Sequence, residues 1–147
     1  MDDITFRLLQ LNQQGYCCSQ IMLLLSLEAQ GKTNVDLVRS MAGLCFGIAM
    51  SGEICGAFTG GACLISLYTA KGGEADEEDP RNPLMMSELA EWFRKTIAAK
   101  FGGIRCDDIL ERHPDKSACG SMVASTYNKV MEILTNYGID PYRGKDD

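Results

Sequence analysis

At 147 residues and a formal net charge of −6, the chain is sized for one domain and lacks the clustered Lys and Arg that hold nucleic-acid phosphates. A domain of that length buries roughly 68–70% of the surface its unfolded chain exposes, so it needs no disulfide or metal merely to fold. Its single histidine, His113, excludes sites with two or more histidine ligands, and no Gly-x-x-x-x-Gly-Lys, Gly-x-Gly-x-x-Gly or Cys-x-x-Cys-His occurs.

Taken in order, the chain reads as helices punctuated by glycine. Ile4, Leu8 and Leu11 form one apolar stripe and predict a helix from about Asp3 to Gln14, stopped by Gly15. A second helix is expected to start near Cys17–Ser19 and run through Ile21, Met22, Leu24 and Leu25 to Gly31. Thr33 with Asp36 resembles a capping box, so a third begins around Asn34, with Leu37, Met41, Leu44 and Ile48 buried. Gly47 and Gly52 break it.

The stretch from Ser51 to Tyr68 organises the rest. After Glu53 it is uncharged, and Gly56, Ala57, Gly60 and Gly61 put small side chains on one helical face. Each glycine inside a helix costs roughly 0.5–1 kcal/mol relative to alanine, so a second helix or a bulky ligand is expected to approach the backbone just after Cys55. Ile54 to Ala70 is near the lower length limit for a membrane span. Its glycines and hydroxyls and the lack of basic or aromatic flanks favour a buried central helix and no membrane span.

An acidic loop at about residues 71–82 is expected to be solvated and mobile. Asn82-Pro83 reads as an N-cap with proline at the first helical position, opening a helix with Leu89, Trp92, Phe93 and Ile97 on one face that ends at Gly102-Gly103. A short turn over Cys106–Glu111 stops at His113-Pro114. The last helix spans about Ser117 to Tyr137 with Val123, Tyr127, Val130 and Leu134 inward, and the tail from Asp140 to residue 147 frays. With no period-two segment, repeat or linker, the expected fold is all-α, a compact single-domain bundle of five or six helices over residues 1–147.

Seven cysteines are too few for a disulfide scaffold. With an odd count and no secretory pattern at the start, a cytoplasmic protein with reduced thiols is expected. Cys45 and Cys63, within apolar helical stretches, read as small core residues. Cys18, Cys55, Cys106 and Cys119 each fall within about a turn of a predicted helix start, where unpaired N–H groups favour a thiolate. Four such placements predict one shared anionic site. Cys17 competes with Cys18, but adjacent side chains diverge by about 100° on a helix, so one of the two is expected to enter.

Four buried thiolates repel one another unless cations or oxidation remove the charge. The chemistry leaves an iron–sulfur cluster, zinc, or redox pairs that alternate between dithiol and disulfide; zinc is the lesser alternative, because tight Cys-x-x-Cys pairs are absent. Gly56, Ala57 and Gly60 would leave room for inorganic sulfide, with backbone N–H groups donating to it. Glu53, Tyr16 and Asp107 lie next to the site in sequence, with surface or capping roles as the simpler reading.

These residues resemble the family of small redox-active proteins named for the pattern Cys…Gly-Cys-Ala-x-x-Gly…Cys…Cys, often seen centrally as Cys-Gly-Ala-x-x-Gly. Here that centre is Cys55-Gly56-Ala57-Phe58-Thr59-Gly60. The family's first cysteine lies in a segment matching Gly15-Tyr16-Cys17-Cys18-Ser19-Gln20, which assigns Cys18. Its third follows a Phe-Gly segment, as Cys106 does, and its fourth opens the last helix, as Cys119 does. The resemblance implies a helical domain with a redox role; a related domain in split-Soret-type cytochromes accompanies haem with an iron–sulfur centre. Two departures stand out. Cys17 occupies a position where Asn is common, and Cys45, Phe46 and Met50 interrupt the glycine-rich lead-in.

The expectation is therefore an electron-transfer module in which Cys18, Cys55, Cys106 and Cys119 ligate one cluster, 2Fe–2S, and pass electrons to a redox partner protein. The alternatives are a thiol-disulfide oxidoreductase using two of these cysteines, and a helical scaffold or zinc-binding protein without a redox role. Leu84-Met85-Met86 is a candidate homodimer contact.

Overall fold

The computed structural model describes residues 2–115 and 117–147, and of Ser117 the backbone alone. Among the described residues it is all helical, with no strand and one isolated antiparallel bridge between Ile54 and Arg105. In chain order the helices are α1 (Asp3–Gln13), α2 (Cys18–Ala29), α3 (Val35–Met41), α4 (Gly56–Thr69), α5 (Asn82–Trp92), α6 (Cys106–Arg112) and α7 (Ser117–Asn136). From α5 the chain continues through a wider π-turn segment, Phe93–Ala98, into Ala99–Phe101, and stops at a left-handed Gly102.

The centre is a pair of helices. α2 and α4 share the most extensive packing in the fold, and α2 buries Ile21, Met22, Leu23, Leu25 and Leu27 around most of its circumference. The small residues of α4 permit the approach: a Cβ at Gly60 would sit 3.0 Å from the Met22 Cβ and the Ser19 Cα. Around this pair, α1, α5 and α7 supply Leu8, Leu11, Leu89, Val123, Tyr127, Val130 and Leu134 to one continuous core. Phe93 stacks on Phe58, ring centroids 4.6 Å apart. No helix among the described residues is long and apolar enough to cross a membrane.

Side-chain caps fix the starts of α1 and α3. Asp2 accepts from the Thr5 N–H at 2.7 Å, and Asn34 from the Leu37 N–H at 3.1 Å. Asn34 alone therefore caps α3, while Asp36 of the expected box pairs with Arg39 at 3.0 Å. At α5 the expected N-cap Asn82 is instead the first helical residue, and its side chain donates to Thr69 Oγ1 at 2.7 Å. The acidic loop is anchored at Asp76 by Lys145, at 2.6 Å, and at Asp79 by Arg81, at 2.8 Å. The tail, expected to fray, is held where Tyr68 donates to the Pro141 carbonyl at 2.7 Å and Lys32 meets Asp147 at 3.0 Å.

The largest departure lies between α3 and α4. The helix expected to continue past Leu44 with Ile48 inward ends at Met41, followed by a 3-10 turn, Ala42–Leu44. Phe46, Gly47, Ile48, Ala49 and Met50 then all take positive φ, at 53, 79, 68, 52 and 58°. For each non-glycine residue that left-handed geometry costs about 1–2 kcal/mol. Hydrogen bonds from Met50 N–H to the Cys45 carbonyl (3.1 Å) and Glu53 N–H to the Gly47 carbonyl (2.9 Å) close the turn. Phe46, Ile48 and Met50 project outward, 44, 39 and 77% exposed.

Candidate redox site

Two structural devices bring the four motif cysteines to one end of the bundle. The first is the bridge at Ile54 and Arg105: Cys55 N–H donates to the Ile104 carbonyl at 2.8 Å, Cys106 N–H to Glu53 at 2.6 Å, and Asp107 N–H to Gly52 at 3.1 Å. It ties the residue that caps α4, Cys55, to the first residue of α6, Cys106. Gly52 makes the contact possible. Its φ is +77°, and a Cβ there would overlap the Asp107 carboxylate.

The second device is the α2–α4 seam. A Cβ at Gly56 would stand 3.2 Å from the Cys18 Cβ, so the first residue of α2 lies against the first residue of α4. Cys119, in the opening turn of α7, is in thiol hydrogen-bonding contact with Cys18.

The electrostatics show the grouping. Contact with the Cys119 thiol, then burial, then the charges that Cys119, Cys55 and Cys106 would carry hold the Cys18 thiol well above its ordinary range. Burial first, with the charges of Cys119 and Cys106, pushes Cys55 up to about 11, although the N–H groups of Ala57 and Phe58 pull the other way. Cys18 and Cys55 thus feel their neighbouring sulfurs, and both favour the protonated form. Among the described residues no group of three or more His, Cys, Asp or Glu is arranged to hold a metal ion.

The remaining cysteines separate from this site. Cys63 is half-buried in α4, where burial raises its thiol pKa. Cys17 turns away from Cys18 and forms a disulfide with Cys45. Cys45, expected as a small core residue inside α3, instead lies beyond that helix, so the expectation of reduced thiols throughout is corrected at this pair. Cys17 and Cys45 are both departures from the family pattern, and that shared oddity was the sequence signal that could have paired them.

Of the neighbours named by adjacency, Glu53 pairs with Arg105 at 3.2 Å on the surface, Tyr16 packs half-buried on the core, and Asp107 lies against Gly52. Gly52, Ile54 and Arg105 were missed, because a single bridge leaves no periodic trace in the sequence.

An all-helical domain that gathers four cysteines at its helix starts has the build of a redox protein. The chain belongs to the family described as "Putative redox-active protein (C_GCAxxG_C_C)", which matches residues 16–133, a span that contains all four. Neither a curated protein nor a solved structure matches it.

Proposed function

We propose that this protein is an electron carrier in which Cys18, Cys55, Cys106 and Cys119 hold one iron–sulfur cluster, of the 2Fe–2S type. What supports the reading is that the four cysteines stand at four separate helix starts, with Cys18 in contact with Cys119 and within electrostatic reach of Cys55 and Cys106. The donor set fits the group: soft thiolates are the usual ligands of such clusters. When bound, a 2Fe–2S centre supplies one-electron transfer.

The chain's own contribution is electrostatic and steric. Four thiolates on an oxidised 2Fe–2S core leave a net charge of 2−, which the positive ends of α2, α4 and α7 offset. The N–H groups of Ala57 and Phe58 favour charge on the Cys55 sulfur. Gly56 and Gly60 let α2 and α4 close around that sulfur, and burial keeps water from it. The redox partner is a separate protein.

One observation favours a second reading. The contact between Cys18 and Cys119 suits a reversible disulfide, and with it a thiol-disulfide oxidoreductase. The raised thiol pKa values weaken that reading, since exchange needs a thiolate near neutral pH.

Anaerobic purification, followed by a visible spectrum and assay of iron, zinc and acid-labile sulfide, tests both. Broad bands between roughly 320 and 600 nm with equal iron and sulfide are expected, and replacing any of the four cysteines by serine should abolish them. A colourless protein after cluster reconstitution, with a Cys18–Cys119 disulfide on oxidation, would overturn the cluster in favour of the dithiol.

A further inference from the structure

We infer that the Cys17–Cys45 disulfide is a second redox site, a two-electron centre that exchanges with a dithiol reductant independently of the four motif cysteines. The pair bridges the residue before α2 and the residue after the 3-10 turn, with Cα atoms 5.9 Å apart.

Three features set it apart from a structural staple. Its two residues differ in exposure: Cys17 is half-buried, whereas Cys45 is 7% exposed. An incoming thiolate can therefore reach the Cys17 sulfur and expel Cys45. A hydroxyl stands ready for the charge that follows. The buried Ser19 Oγ lies 3.3 Å from the Cys17 sulfur and 3.8 Å from the Cys45 sulfur while donating to the Met41 carbonyl at 2.8 Å. By turning from that carbonyl, it can donate to whichever sulfur becomes negative. Finally, the residues directly after Cys45 form the left-handed turn, in which Phe46, Ile48, Ala49 and Met50 sit at positive φ. Opening the bond frees that segment from its anchor on α2 and lets it relax, which favours reduction.

The chemistry balances as ordinary exchange. A thiolate of the dithiol attacks the Cys17 sulfur, a mixed disulfide forms, and Cys45 leaves as a thiolate that takes up a proton. The second thiol of the reductant then attacks the mixed disulfide and releases Cys17. Two electrons and two protons pass to the protein, and the reductant leaves as its own disulfide.

The test uses the full chain without denaturant. Existing thiols are blocked with N-ethylmaleimide, dithiothreitol is added, new thiols are labelled with iodoacetamide, and the peptides are mapped by mass spectrometry. Iron and sulfide are assayed on a parallel, unblocked sample treated with the same dithiothreitol. Cys17 and Cys45 should gain the second label together, at a rate proportional to dithiothreitol and unchanged by urea below the unfolding transition, with iron and sulfide unaltered. In single variants challenged with an aromatic disulfide, Cys17 in C45S should form the mixed disulfide at least about tenfold faster than Cys45 in C17S, as access dictates. Absence of the linked peptide before reduction, opening only when the chain unfolds, or faster trapping at Cys45 would each overturn the inference.

Discussion

Cys17 and Cys18 are neighbours in sequence, yet the fold sends them to opposite kinds of environment. Cys18 faces the starts of α4 and α7, a region of close helix contacts. Cys17 faces a left-handed turn that helix propensity would not choose, and is bound covalently to it. Cys18 is the first helical residue of α2 and Cys17 the extended residue before it, so one residue step separates a site held by packing from a site held by a covalent bond against strain. The two regions should therefore respond differently to pH, to reduction and to backbone substitution.

The largest contrast should appear with pH in the metal-free protein. Burial raises Cys55 from its ordinary value near 9.0 to about 11. Between those values the folded state keeps a proton that the unfolded chain has released. Stability is thus full below about pH 9 and falls as pH rises toward 11, by about 3 kcal/mol from this group. Urea melts across that range should show the loss, and a Cys55→Ala variant should lack this share. The Cys17–Cys45 pair, as a disulfide, contributes nothing to it.

Gly52→Ala attacks the bridge within the four-cysteine region. It places a side chain at φ +77° and against the Asp107 carboxylate, so the bridge holding Cys55 to Cys106 must shift. A loss of about 2–3 kcal/mol is expected in thermal or urea melts. An unchanged midpoint would mean that the bridge is not what joins those helix starts.

Cys17→Ser with Cys45→Ser tests the covalent region alone. Closing a loop of 28 residues is worth about 3–4 kcal/mol by chain entropy, and release of the left-handed residues returns part of it. A net loss near 2 kcal/mol is expected in urea, with the iron and sulfide content of the four-cysteine site unaltered. Ala49→Gly sharpens the same point with the opposite sign: exposed and at φ 52°, it should gain about 0.5–1 kcal/mol when strain is relieved.

The smallest effect belongs to the surface. Glu53→Gln removes an ion pair whose side chains are 54% and 42% exposed, and should cost no more than about 1 kcal/mol. A larger loss in a double-mutant cycle with Arg105 would assign the pair a role in holding the bridge.

Local patterns determined much of this protein. The apolar stripes of α1, α5 and α7, the glycine and proline stops and the small-residue face of α4 are visible residue by residue, because 3.6-residue periodicity and cap chemistry act over a few positions. The placement of Cys18, Cys55, Cys106 and Cys119 at helix starts is legible for the same reason. Tertiary structure decided the rest. That α2 is as central as α4, that one bridge stitches Gly52–Cys55 to Ile104–Asp107, and that Phe46–Met50 turn left-handed all depend on contacts between segments distant in sequence. The Cys17–Cys45 bond is the clearest case: sequence can count thiols, but only the packing of α3's end against α2's start brings these two within reach.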